Sequence, residues 1–221
     1  MAGTLGALLL TDGRLPSGGY AYSGGLEPAL GAGLAPADIP AYIRARARTV
    51  ALVEASAAVL AQRSALDAPD RLARVHEALL ARTPSEPLRE ISGFLGRGLL
   101  RMARRLWPDH PGVIALRGID TPLRPIALGA VAAAMGMSAE ALARASFYDD
   151  IQTVTSATLK LAPIDPVDTV GWLIDLEPLI EALIAQVLAI DTVTDLPALT
   201  APSAEQWSLD HAGKTRRIFR A

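Results

Sequence analysis

The sequence predicts an all-α fold, and three observations predict it. Alanine and leucine, both strong helix formers, supply 41 and 33 of the 221 residues. Aromatic residues make up only 5 % of the chain, whereas a sandwich or barrel draws heavily on β-branched and aromatic side chains. Apolar residues recur near helical spacing, as at Ile43, Val50, Val53, Ala57 and Leu60. We expect one single-domain helical bundle of about eight helices over residues 1–190. An extended or partly disordered tail over 191–221 should follow, because the composition there turns to Thr, Pro, Ser and charge.

The elements follow in chain order. Leu5–Leu10 is apolar enough for a short helix. Thr11–Tyr20 is a loop punctuated by Gly13, Pro16, Gly18 and Gly19. Ala21–Leu30 regains helical character and ends at Gly31 and Gly33. Ala35–Leu66 reads as one long helix, with Pro36 and Pro40 in its first turns and Arg44, Arg46, Arg48 and Glu54 on its polar side. Asp67 and Pro69 open a helix to Arg82. Another runs from Ser85 to Leu106; its Gly93, Gly96 and Gly98 each cost roughly 1 kcal/mol relative to Ala and so imply close approach of another helix. Trp107–Pro122 reads as a connection. Arg124–Met135 is a small-residue helix ended by Gly136. Ser138 is a candidate N-cap for a helix running to about Leu161. Val167–Ile190 is the last long helix, with Pro178 a kink site.

Composition excludes several function classes. Hydrophobic residues at 51 % with a net charge of -2 exclude disorder. Without cysteine there is no disulfide framework, no thiol catalysis and no Cys-ligated zinc. Near-neutral charge argues against a nucleic-acid binder. No apolar run approaches the ~20 residues of a membrane span, and the N-terminus lacks the basic region of a signal peptide. A cytoplasmic protein is expected. Basic charge is 19 Arg against only Lys160 and Lys214, a bias that composition of the genome would explain.

Catalytic patterns are missing. There is no phosphate loop, no dinucleotide fingerprint and no Gly-x-Ser-x-Gly elbow. His76, His110 and His211 are far apart and lack metal-motif spacing, so they read as solvated and no metal or cofactor is expected. Asp149 and Asp150 beside Tyr148 read as a helix surface or junction. Two segments resist a plain structural reading. Leu15–Glu27 packs four glycines, two tyrosines and a proline into a short loop, where tyrosines offer amphipathic anchors for a partner. Arg216–Ala221 flanks an Ile-Phe pair with arginines, which suits docking into a partner groove.

The loop carries a resemblance. Leu8–Glu27, LLLTDGRLPSGGYAYSGGLE, resembles the N-terminal signature of the urease accessory protein F (UreF) family. That signature reads Leu-x-x-Ser/Thr-Asp, then Leu-Pro-x-Gly-Gly/Ala-Phe/Tyr, then Ser-x-Gly-Leu-Glu. Arg124–Gly136 resembles the family's Pro-Val-Ala-x-Gly helix. Tyr148 through Thr155–Pro163 resembles its Tyr…Ser-Ala-x-Val-Arg-Leu-x-Pro segment. His211 with Arg217–Arg220 resembles its His-Glu…Ser-Arg-Leu-Phe-Arg-Ser terminus. The chain departs at Ile164-Asp165-Pro166, where Gly-Gln is usual. It departs again at Ala212 and Thr215 in the terminus, and at Leu123 and Arg124, where a histidine often stands.

The resemblance implies an all-helical, usually dimeric cytoplasmic protein without enzymatic chemistry. Such a protein aids nickel insertion into apo-urease. It bridges the UreD/UreH accessory protein and the nickel-carrying GTPase UreG, whose cycle it regulates. Carried over by position, Tyr20, Tyr22, Lys160, Arg217, Phe219 and Arg220 are the partner-binding candidates. Pro16, Gly19, Ser23, Gly25 and Glu27 would hold the loop. Two alternatives stand: a helical protein-binding module diverged from urease maturation, and a small acid/base enzyme using Tyr148, Asp149, Asp150 and a histidine.

Overall fold

The computed structural model describes residues 2–13, 15, 19–215 and 217–219. Eleven α-helical segments and no strand occur among the described residues. They are α1 (Ala2–Leu10), α2 (Leu26–Gly31), α3 (Ile39–Arg46), α4 (Leu52–Asp67), α5 (Leu72–Leu80), α6 (Glu86–Leu106), α7 (Pro111–Arg117), α8 (Arg124–Ala134), α9 (Ala139–Leu161), α10 (Pro166–Leu188) and α11 (Pro202–Ala212). The all-α class holds. A π turn, Ala47–Ala51, joins α3 to α4, so these two form one rod with a register shift inside it.

The bundle is organised around α4. Twelve of its sixteen residues are buried, and a helix apolar on every side belongs at the centre of a core. Helix α8 lies along it most extensively, with α9, α5, α7 and α10 around the remaining sides. Small residues set the α4–α8 spacing. A Cβ on Gly129 would stand 2.3 Å from the Ala58 carbonyl oxygen and 2.8 Å from the Ala61 Cβ, so no larger residue fits. Gly112 of α7 meets Ala65 in the same way.

Several expectations change. The long helix read over 35–66 begins as a 3-10 turn at Pro36–Asp38 and is interrupted by the π turn. The helix read from residue 21 starts at Leu26, because Gly24 and Gly25 take φ of 64° and 79° and the preceding residues form a turn. The connection 107–122 contains α7, capped by His110, whose Nδ1 accepts from the Gly112 N–H at 3.2 Å. That histidine is a structural cap. Within 191–221, expected to be extended or partly disordered, Pro202–Ala212 forms α11 and packs on α2 and α6. The α6 glycines face the segment entering α8: a Cβ on Gly96 would meet the Pro122 carbonyl and one on Gly93 the Thr121 methyl. Helix α10 runs through Pro178. The carbonyl left without a donor there belongs to Ile174, an exposed residue, where water can serve.

Arginines tie the late segments to the bundle. Arg63 donates to the carbonyls of Leu188, at 2.9 Å, and Ile190, closing the C-terminus of α10, where the helix dipole favours a cation. Arg82 donates to the Leu196 and Pro197 carbonyls at 3.0 and 3.1 Å. On the outside, Arg144 of α9 holds Glu181 of α10 through two bonds of 2.8 Å.

The α4–α8 contact generates a paired test. Gly129→Ala should destabilise the fold by about 1–3 kcal/mol through overpacking. Gly171→Ala on α10, where a Cβ meets nothing within 4 Å, should stabilise it by about 0.4–1 kcal/mol. Urea unfolding of both variants checks the opposite signs.

Candidate protein-docking cleft

The N-terminal loop, the tail and helices α3, α4, α6, α8 and α9 enclose a cleft of about 330 Å³. Its floor is polar and its walls, with Leu88, Ile91, Leu95 and Leu128, are apolar. This combination of apolar lining and a few convergent polar groups is that of a binding pocket.

The floor is a network of charges. Arg46 ends α3, and the spacing Ile39, Ile43, Arg46 puts it on the buried face. Its guanidinium meets Asp150 of α9 with Nε 3.0 and 2.9 Å from the two carboxylate oxygens and Nη2 2.6 Å from one of them. Both side chains are almost fully buried, at 5 % and 8 % exposure. Arg46 also donates to the Tyr22 hydroxyl at 3.3 Å and sits over that ring. Next to it, Arg124 at the start of α8 bonds Asp149 and has Glu54 at 3.8 Å. The polar-side placement of Arg46 is therefore corrected, and of the two readings of Asp150, helix surface or helix junction, the second is the one found: each residue is buried because the other is.

Burial sets the protonation tendencies. It pushes Glu54 above the ordinary carboxylate range, against the pull of Arg124 and Arg46. Burial raises Asp149 likewise, against Arg124. It lifts the Tyr22 hydroxyl, and Tyr42 to about 12. Burial works against the charge of Arg46, but Asp150 and the two tyrosines outweigh it and hold that guanidinium well above its usual range.

The loop and the tail meet at the cleft's edge. Gly24 lies against Val154, and the Tyr42 hydroxyl donates to the Gly24 carbonyl at 2.6 Å, so the double glycine is a conformational and steric requirement. Buried Ser23 accepts from the Glu27 N–H at 3.3 Å. Glu27, in the first turn of α2, turns its carboxylate to the tail: one oxygen accepts from the Ile218 N–H and the other from the Phe219 N–H, each at 2.8 Å. The Nε2 of His211 stands 3.5 Å away. That histidine is buried by the packing of α11 on α2, which corrects its solvated reading. His76 is half-buried, with burial lowering its pKa.

The candidate residues separate into two groups. Gly19 and Tyr20 form a 3-10 turn at the mouth, with Tyr20 78 % exposed. Lys160 is exposed, its ammonium 5.2 Å from the centre of the Phe219 ring. Arg217 is exposed, as is Ile218. Tyr22 and Phe219 turn inward, onto Arg46 and into the core. Pro16 and Arg220 lie outside the described residues. Sequence reasoning missed the floor. Its signal was there in the apolar register of two helices, since Arg46 follows Ile39 and Ile43 at helical spacing, and Asp150 falls between Phe147 and Val154.

Two comparisons bear on this arrangement. The UreF family model matches residues 35–177. That span holds Arg46, Glu54, Arg124, Asp149 and Asp150. Urease accessory protein UreF of Mycolicibacterium vanbaalenii is 35 % identical over 216 residues, covering 96 % of each chain. The proteins of that name from Mycobacterium marinum and Mycobacterium bovis are 34 % and 32 % identical, the first covering 98 % of each chain and the second 96 %. These relatives are named as accessory proteins.

The cleft yields two predictions. Glu54 has a raised folded-state pKa, so its contribution to stability is greatest below the ordinary carboxylate range and is lost as pH rises through the raised value. Relative to the parent, Glu54→Gln should therefore gain stability between about pH 4 and pH 7; urea unfolding at both pH values measures it, and a gain by the parent would refute the assignment. Glu27→Ala should speed amide hydrogen exchange at Ile218 and Phe219 by roughly tenfold or more while leaving α4 unchanged.

Proposed function

The chain belongs to the UreF family of urease accessory proteins, and on that premise we propose that it is a non-catalytic chaperone of nickel insertion into urease. It bridges the urease-bound UreD/UreH protein and the nickel-carrying GTPase UreG, and it regulates the GTPase cycle. It works in the cytoplasm as a homodimer, and nickel is cargo of the complex. Among the described residues no helix is long and apolar enough to cross a membrane.

The observation that carries the reading is the Glu27 clamp. It joins the loop and the tail, the two segments with a docking character, at one cleft. The clamp leaves Tyr20, Arg217 and Ile218 exposed, and Lys160 at the rim. Exposed aromatic and arginine side chains around a rigid frame are what a docking epitope needs. Tyr20 and Arg217 are the GTPase-recruiting residues; Ser23, Gly25 and Glu27 hold the frame. The acid/base alternative loses ground because arginines hold both Asp149 and Asp150.

Pull-down of the GTPase with the UreD/UreH partner present tests the proposal. Tyr20→Ala and Arg217→Ala should each weaken recruitment about tenfold or more, with unfolding midpoints unchanged. Removing the chain from its host should leave urease present but nickel-free. Fully active urease in its absence would end the reading and favour a module serving another partner.

A further inference from the structure

Helix α6 carries a row of arginines that lies outside both the core and the cleft. Arg97, Arg101, Arg104 and Arg105 are all exposed and line one shallow depression with Asp120. The spacing i, i+4, i+7, i+8 puts them along one face of a helix, over about 12 Å. No acidic residue occurs on α6 between Glu90 and its end. The C-terminal dipole accounts for Arg104 and Arg105 in the last turn. It does not account for Arg97, two turns earlier, whose Nη1 donates to the Thr121 hydroxyl at 3.4 Å. No ion pair is made by Arg104 or Arg105 among the described residues. Four guanidinium groups against the one carboxylate of Asp120 leave this face positive on a chain whose net charge is -2.

We propose that this arginine face of α6 is a docking surface for an acidic segment of a partner protein, independent of the cleft. The shape of the patch selects that occupant. A small anion needs convergent donors, one of them shielded from water; all four arginines here are exposed around a depression that stays open to solvent. A nucleic acid presents negative charge along its whole length and is repelled by an acidic molecule outside so short a patch. A protein segment confines its carboxylates to a matching length, and arginine forks pair with carboxylates two bonds at a time. An extended run of about four residues spans the row.

The test uses the full chain and a labelled peptide carrying a run of about six glutamates, with a polyglutamine peptide and an oligothymidylate of equal length as competitors. Fluorescence anisotropy should show glutamate-peptide binding that weakens as salt shortens the screening length. Arg104→Glu with Arg105→Glu should weaken it at least about tenfold. Arg44→Glu on α3 should leave it within about twofold. A second variant, Arg104→Gln with Arg105→Gln, keeps helix propensity and should also weaken binding. Wild-type affinity in both double variants overturns the proposal. So does oligothymidylate binding tighter than the peptide, which would make the patch a general polyanion site. Neither result touches GTPase recruitment at the cleft.

Discussion

The buried pair of Arg46 and Asp150 is the constraint on which the working end of this molecule depends. It joins residues 104 positions apart through three short contacts. A pair this deep contributes little net stability, because desolvating both charges offsets their attraction. Breaking it by removing one partner typically costs about 3–5 kcal/mol, since the other charge is stranded. Its consequence here is geometric. It fixes the end of α3 against the middle of α9 and gives the Tyr22 hydroxyl a donor. Tyr22 in turn sets where the loop leaves the floor, with Tyr20 at the mouth.

Around that fixed point the two ends of the chain are brought together. The double glycine lets the loop lie on α9, and Tyr42 locks it by donating to the Gly24 carbonyl. Helix α2 then starts with Glu27 pointed at the tail. Carboxylates are at home in a helix's first turn, yet this one gives both oxygens to amides of the tail. The Lys160 ammonium over the Phe219 ring adds a second attachment from α9. One helix thus supports the loop, the floor and the tail.

The fold class was legible because helix propensity and apolar periodicity agreed along most of the chain. Element starts were read well where a local signal exists: Ser138 accepts from the Ala141 N–H as an N-cap should. They were misread where tertiary packing decides. Nothing local announces a π turn at Ala47–Ala51, and α11 owes its place to α2 and α6. The loop and tail stood out by composition and by resemblance. Glu27 was recognised, but its tail partners were not, because a hydrogen bond across 191 residues leaves no trace in local pattern. Asp149 and Asp150 illustrate the limit: adjacent acids read as a surface or a junction alike until two arginines from other helices are seen to hold them.

Two compositional biases that carried little functional weight in the sequence acquire physical meaning in the structure. The alanine excess is concentrated where helices touch most closely: Ala55, Ala57, Ala58, Ala61 and Ala65 of α4 are buried, as are Ala127 and Ala130 of α8, with Gly129 of α8 set against Ala58 and Ala61 and Gly112 of α7 against Ala65. Larger side chains would hold those axes apart, and the core would lose the contacts that dispersion rewards only at short range. The arginine excess works differently. Arg46 spans two carboxylate oxygens and a phenol, Arg63 two carbonyls and a carboxylate, and Arg82 three carbonyls. A lysine ammonium is a point charge without that planar fork. Replacing arginine by lysine at these positions would keep the charge and forfeit the geometry. Whatever set the base composition of the gene, the bundle has come to use guanidinium groups as its long-range fasteners.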